Sequence, residues 1–172
     1  MLLLLRIFRS FVIQISFSMK TLNEGDKAPD FGVVNQDNKL VDLKSFQGKK
    51  VILYFYPKDS TPGCTTESCN LRDSYLELTT LGFEVIGVSA DSVESHQKFI
   101  AKNNLPFDLL SDTDKKVINA YGVWGPKKFM GKEYEGIHRI TFVIDENGII
   151  ERVFSKVKTK EHTQQILETY KK

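Results

Sequence analysis

With 172 residues, 41% of them hydrophobic and 27% charged, the chain has an ordinary soluble composition and enough length for one well-packed α/β domain. Its 24 basic side chains barely outnumber the 22 acidic ones, so a formal charge of +2 gives no field able to hold nucleic acid. Two cysteines are too few for the disulfide framework of a small secreted module, and no further Cys or close His group completes a zinc site, so reactive thiols in a reducing compartment are expected.

The first 18 residues, MLLLLRIFRSFVIQISFS, are apolar and acid-free, with Arg6 and Arg9 inside the apolar run. They are too interrupted for a membrane span, and they lack both the leading positive charge and the cleavage site of a secretory signal. Three readings stay open: Met19 as the working start, a targeting segment, or an interfacial anchor. The first is preferred, and it implies a cytoplasmic protein with no stable membrane partner and a single domain over residues 19–172. The second would make the protein targeted or membrane-associated through residues 1–18.

From Thr21 onward strands and helices alternate. DFGVVNQDNKLVDL holds two short strands around the turn signal NQDN, and VILYFY at 51–56 is apolar on both faces, as a central strand of a helix-covered sheet is. A helix is predicted over about residues 63–79, with Leu71, Tyr75, Leu76 and Leu78 on its apolar stripe. FEVIGVSA at 83–90 is a second buried strand, followed by a helix capped by Ser92, a short strand FDLLSD and a helix after Asp112. RITFVIDENGIIERVF forms a hairpin around Asn147 and Gly148, and a last helix covers about residues 159–170. The fold class is therefore α/β, a central mixed sheet with helices on both faces. The longest irregular segment is VWGPKKFMGKEYEGIH, residues 123–138.

Both cysteines fall just after the central strand. Pro62 biases Thr61 to an extended conformation and Gly63 tolerates unusual backbone angles, so Cys64 enters the first turn of a helix at the carboxyl edge of the sheet. There, free N–H groups and the positive end of the helix dipole favour a thiolate. Cys69 lies five positions on, which in an intact helix separates the two Cα atoms by roughly 8 to 9 Å. A disulfide needs about 7 Å or less, so any bridge between them requires the first turns to unwind. Cys69 taken alone could equally be a small buried hydrophobe. His96 and His162 lie in polar helical stretches and read as solvated, His138 as structural. Arg139 enters an apolar strand and must either meet a carboxylate or point into a site that needs positive charge.

YFYPKDSTPGCTTESC, with Pro57, Thr61 and Cys64 in P-x-x-x-T-x-x-C spacing, resembles the peroxidatic motif of the peroxiredoxins. The Cys64 to Cys69 interval, with LLSD, YGVWG, FMGK and GIHRITFVID, resembles the bacterioferritin comigratory protein branch, also called peroxiredoxin Q. That resemblance runs from about residue 21 to the end; Ser68, where many members carry alanine, is a small departure. It implies a thioredoxin-like fold with an added N-terminal β-hairpin, and reduction of hydrogen peroxide and organic hydroperoxides with electrons from thioredoxin or a similar dithiol protein. It also implies roles: Cys64 as peroxidatic nucleophile, Cys69 as resolving cysteine, Thr61 and Arg139 as the peroxide-positioning pair, and Pro57 and Gly63 at the substrate pocket. No cofactor or metal is implied, and a monomer, with a weak homodimer as the other option, is expected. A thiol-disulfide oxidoreductase would more naturally carry C-x-x-C, and a non-catalytic redox sensor would need a reactive Cys64 without turnover; a peroxide-consumption assay separates the three.

Overall fold

Valine, isoleucine, leucine and aromatic residues follow one another without interruption from Val51 to Tyr56, and this run makes the middle strand of the sheet in the computed structural model, which describes residues 22–171. The leader expected over residues 1–18 lies outside the described residues, among which no helix is long and apolar enough to cross a membrane.

The first two strands among the described residues form a hairpin, β1 (Gly32–Val34) and β2 (Leu40–Asp42). A 3-10 turn at Leu43–Phe46 leads into β3 (Lys50–Phe55). Then come α1 (Pro62–Asp73), α2 (Tyr75–Thr80), β4 (Phe83–Ser89), α3 (Val93–Asn103), β5 (Asp108–Ser111) and α4 (Lys116–Ala120). A second hairpin, β6 (Trp124–Phe129) and β7 (Lys132–Ile137), precedes β8 (Ile140–Ile144), β9 (Ile150–Phe154) and α5 (His162–Glu168). The main sheet has the order β5-β4-β3-β8-β9, with β3, β4 and β5 parallel and β8 and β9 antiparallel.

Alternation along β3 divides the core into two. Val51, Leu53 and Phe55 face the N-terminal hairpin and Val117 and Ile118 of α4, while Ile52 and Tyr54 face Cys64 and Leu71 of α1, Leu78 of α2, Phe99 of α3 and Ile166 of α5. Helices thus cover both faces, and the cysteine-bearing helix lies on the more heavily covered one.

Three expectations need correction. The helix predicted over residues 63–79 is two helices, because Ser74 leaves helical geometry at φ −108°, ψ 10°. On the apolar stripe, Leu71, Tyr75 and Leu78 are spaced i, i+4, i+7, but Leu76 lies about 100° further round and is 80% exposed. Residues 123–138 are not irregular. They pair as β6 and β7 from Trp124 opposite Ile137 to Phe129 opposite Lys132. Met130 and Gly131 make the turn with φ of 48° and 77°, the two left-handed residues that a tight hairpin of right-handed twist requires.

Gly87 of β4 sits opposite Tyr54 of β3, and a Cβ there would lie 2.6 Å from Leu109 Cδ2 and 2.8 Å from Tyr54 Cζ and Oη. Tyr54 Oη in turn lies 3.0 Å from Ser68 Oγ in α1, so this packing reaches the cysteine helix. We expect Gly87→Ala to cost about 1–3 kcal/mol of unfolding free energy through overpacking. Urea denaturation checks it; a midpoint unchanged from the parent would contradict the clash.

Candidate active site

β3 delivers the chain through Tyr56 to Pro57 and a short loop that ends at Thr61, which is extended at φ −82°, ψ 152°, as a residue before proline should be. Pro62 is the first residue of α1, where its missing N–H is no loss. Cys64 therefore sits in the first turn, its side chain 0% exposed against the sheet. The Thr61 hydroxyl does not cap the helix: it donates to the Lys58 carbonyl at 2.8 Å and braces the loop instead.

Arg139 completes the site from the other direction. Its Nη2 donates to Cys64 Sγ at 3.3 Å, and its Nη1 donates to Glu67 Oε2. Of the two alternatives for this arginine, the carboxylate is met by one arm, while the other arm reaches the Cys64 sulfur. Gly63 matters through what it lacks. A Cβ there would come within 3.2 Å of Arg139 Nη2, so glycine leaves room for the guanidinium. Burial opposes the charge on Arg139, but Glu67 and the Cys64 sulfur outweigh it and raise the group above its ordinary value. Pro57 lines a cleft of about 420 Å³ together with Lys127 and Tyr134 of the β6–β7 hairpin.

Glu67, fully buried, was not singled out from sequence, although its spacing of i+3 from Cys64 and i−4 from Leu71 puts it on the inward face of α1. Its Oε1 is, among the described residues, the buried side-chain oxygen or nitrogen without a hydrogen-bond partner. It lies 3.9 Å from His162 Nε2, which is itself 2.8 Å from Thr141 Oγ1. His162 and His96 are both 0% exposed, against the expectation that they are solvated. Their sequence neighbours are polar, but Ile166 at i+4 and Phe99 at i+3 reveal the buried face. His138 Nε2 faces the Pro126 carbonyl at 3.1 Å, consistent with a structural role.

Cys69 is brought to different company. Half-buried in the intact α1, its Sγ donates to Asn103 Oδ1 at 3.8 Å, at the end of α3. The next residue, Asn70, donates from Nδ2 to the Lys160 carbonyl at 3.0 Å and accepts the Thr163 N–H at 2.8 Å, tying α1 to the start of α5. Both cysteines are free.

Burial pushes Glu67 up from 4.5 to about 7 against the pull of Arg139, and burial pushes His162 down from 6.5 to about 4. Glu67 binds its proton more tightly when folded, so its contribution to stability falls as pH rises from about 4.5 to about 7. His162 behaves oppositely: its contribution is present above 6.5 and is lost as pH falls toward about 4. Between pH 4.5 and 6.5 the two slopes cancel. Glu67→Gln should therefore make unfolding free energy rise with pH in that window relative to the parent, and His162→Gln should make it fall, by up to about 1.4 kcal/mol per pH unit. Urea titrations across the window test this; profiles parallel to the parent would refute it.

Residues 24–153 match the AhpC/TSA family. The chain is 53% identical over 150 residues to a Haemophilus influenzae protein named putative peroxiredoxin bcp, covering 87% of this chain and 97% of that one. It is 50% identical to Escherichia coli peroxiredoxin Bcp, covering 87% of this chain and 96% of the relative. Among solved structures it is similar to Xanthomonas campestris peroxiredoxin Q, with a TM-score of 0.76 and 36% identity over 81% of this chain and 88% of that one. Xylella fastidiosa PrxQ, as a single-site mutant, gives a TM-score of 0.81 and 31% identity over 87% and 95% of the two chains. These neighbours share the thioredoxin-like architecture with the mixed sheet described above. The chain belongs to the AhpC/TSA family, in its Bcp and peroxiredoxin Q branch, and is a thiol peroxidase.

Proposed function

We propose that Cys64 is the peroxidatic nucleophile, that Arg139 and Thr61 position the peroxide with Pro57 and Gly63 bordering its pocket, and that Cys69 resolves the oxidised product for reduction by thioredoxin or a similar dithiol protein. The observation that carries this reading is the shared guanidinium: Arg139 holds Cys64 Sγ with one arm and Glu67 with the other. Pointing a fixed cation at a helix-start sulfur is costly in a buried site unless charge there is useful. Gly63 accommodates that cation, and the Thr61 hydroxyl keeps lone pairs free to accept from a peroxide O–H while it donates to Lys58.

Ionisation does not suffice for speed. A free thiol with pKa near 8.5 is about 3% thiolate at pH 7, so complete ionisation gains only about thirtyfold, and a less basic thiolate is a weaker nucleophile. The rest has to come from donors that grip the transition state as negative charge moves from sulfur to the departing oxygen. The Cys64 thiolate attacks the nearer peroxide oxygen, the O–O bond breaks with its electron pair on the far oxygen, and that oxygen leaves as water or an alcohol after taking a proton. Cys64 becomes a sulfenic acid. The Cys69 thiol then displaces the hydroxyl as water, forming an S–S bond, and an external dithiol returns both sulfurs to thiols by exchange. Hydrogen peroxide and organic hydroperoxides both fit this chemistry.

Intact helical geometry through both cysteines supports a resolving step that needs α1 to unwind from its amino end. Both thiols belong to one chain, so a monomer suffices for the cycle.

Peroxide consumption with thioredoxin and its reductase is the test. Cys64→Ser should abolish turnover while the fold is retained, and Cys69→Ser should still give one sulfenic acid on Cys64 but lose thioredoxin-dependent recycling. Near-parental turnover in the first variant would end this assignment, and an unchanged steady-state rate in the second would remove Cys69 from it.

Arg139→Lys keeps the charge but replaces a planar fork that reaches two partners with a point charge that can favour only one. Its second-order rate of Cys64 oxidation at sub-saturating peroxide should drop more than tenfold in stopped-flow. A loss below about threefold would assign Arg139 to structure alone.

A further inference from the structure

The loop that presents Cys64 is anchored to a second buried group of titratable side chains that takes no part in the chemistry above. Asp59 is 6% exposed and His96 0%. The Asp59 carboxylate accepts from the Tyr56 hydroxyl at 2.7 Å through Oδ1 and from the Ser95 hydroxyl at 2.7 Å through Oδ2. His96 Nδ1 lies 2.8 Å from the same Oδ2, and His96 Nε2 lies 3.1 Å from the Leu110 carbonyl of β5. The Asp59 N–H donates to Asp91 Oδ2 at 2.9 Å, which also accepts from the Ser89 hydroxyl at 2.7 Å.

Proton accounting narrows what this group can be. A carbonyl only accepts, so Nε2 bears a hydrogen. Nδ1 faces a carboxylate oxygen that accepts from a hydroxyl, so this contact is attractive only with one proton between nitrogen and oxygen. The pair then carries two protons and no net charge, whichever atom keeps the shared one. Without that shared proton, a lone pair and a carboxylate would face each other in a buried space.

The position of the group gives it a use. Asp59 stands in the loop between β3 and α1, next to Ser60, whose φ of 60° is left-handed, a strained backbone for a non-glycine residue. Such a loop keeps its shape only if its surroundings over-determine it. His96 is near the start of α3, and Asn103, the last residue of that helix, faces Cys69. One rigid helix therefore touches the Cys64 loop at one end and the second thiol at the other.

We infer that Asp59 and His96 form a clasp of positioning residues that holds the Cys64 turn in its reactive pose, acting through the backbone of residues 59–63 and not on peroxide itself. The inference rests on Cys64 being the reacting thiol. The carboxamide of asparagine reaches the place of Nδ1 and that of glutamine the place of Nε2. His96→Asn therefore keeps a donor on Asp59, and His96→Gln keeps only the contact with Leu110.

The experiment measures the second-order rate of Cys64 sulfenic acid formation, by trapping and mass spectrometry, in the parent and both variants, beside their urea midpoints. Both variants should lose stability to a similar degree. His96→Gln should form sulfenic acid roughly tenfold more slowly than the parent, the scale on which misplacement of a reacting group acts, and His96→Asn should stay within about threefold. Equal rates in the two variants, or the reverse order, would overturn the clasp. Nitrogen-15 shifts of His96 in the parent give a second readout that does not depend on the variants folding: a protonated Nε2 with a proton shared at Nδ1 supports it, and a bare Nδ1 at neutral pH overturns it. Failure of the parent to form sulfenic acid on Cys64 would instead bring down the nucleophile assignment.

Discussion

Bringing the Arg139 guanidinium against the Cys64 sulfur is costly in a site that water barely reaches unless a second anion helps to hold it, and Glu67 supplies that anion from the same helix. Much of the surrounding architecture follows. The anion must be buried to face inward from α1, which raises its proton affinity. Burial and the nearby Arg139 cation keep His162 neutral behind it, with Thr141 close to its ring. Glycine at residue 63 relieves the guanidinium, because a Cβ there would press to 3.2 Å from Arg139 Nη2. A larger residue at 63 would move the cation, and a polar surface in place of the α5 contact would let water between Glu67 and its partner.

The sheet makes this meeting possible between residues 75 positions apart in sequence. β3 and β8 run antiparallel with Phe55 opposite Ile140, so the residues just past the end of one strand lie beside those just before the start of the other. Pro57 onward and Arg139 therefore arrive at the same edge. Parallel pairing of β3 with β4 brings Ser89 and Asp91 to that edge as well, where Asp91 receives the Asp59 N–H. The site is assembled from strand ends, and the strands themselves are packed on both sides by the two halves of the core.

Much of this was legible in the sequence because local rules and global fold agree: the apolar run at 51–56, the Ser92 cap, the Asn147–Gly148 turn and the Pro62 helix start each specify their own conformation. Misreadings occurred where a residue's character depends on a partner far along the chain. Glu67 was passed over because a helical glutamate shows no need for burial until Arg139 is placed beside it. His96 and His162 look solvated until the strands under α3 and α5 are in place. The β6–β7 hairpin was missed because its turn is Met130–Gly131, a pair without the usual Asn or Asp, and because its exposed outer residues do not alternate cleanly. Thr61 is in the expected place in the motif, but which way its hydroxyl donates was not to be read from spacing.

Asn70 gives α1 a natural stopping point. α5 is only seven residues long, its N-cap Glu161 makes no side-chain capping bond, and the Thr163 N–H of its first turn is satisfied by Asn70 of α1 instead. The Thr163 hydroxyl and the Lys160 carbonyl also bond to Asn70. Fraying of α1 from its amino end as far as Cys69 breaks its own hydrogen bonds and those of Cys64 and Glu67 with Arg139, Ser68 with Tyr54 and Cys69 with Asn103. One residue further it must also strip three contacts from a neighbouring helix. Unzipping α1 past Cys69 therefore meets a further set of bonds gathered on Asn70, like a tear that runs to a seam.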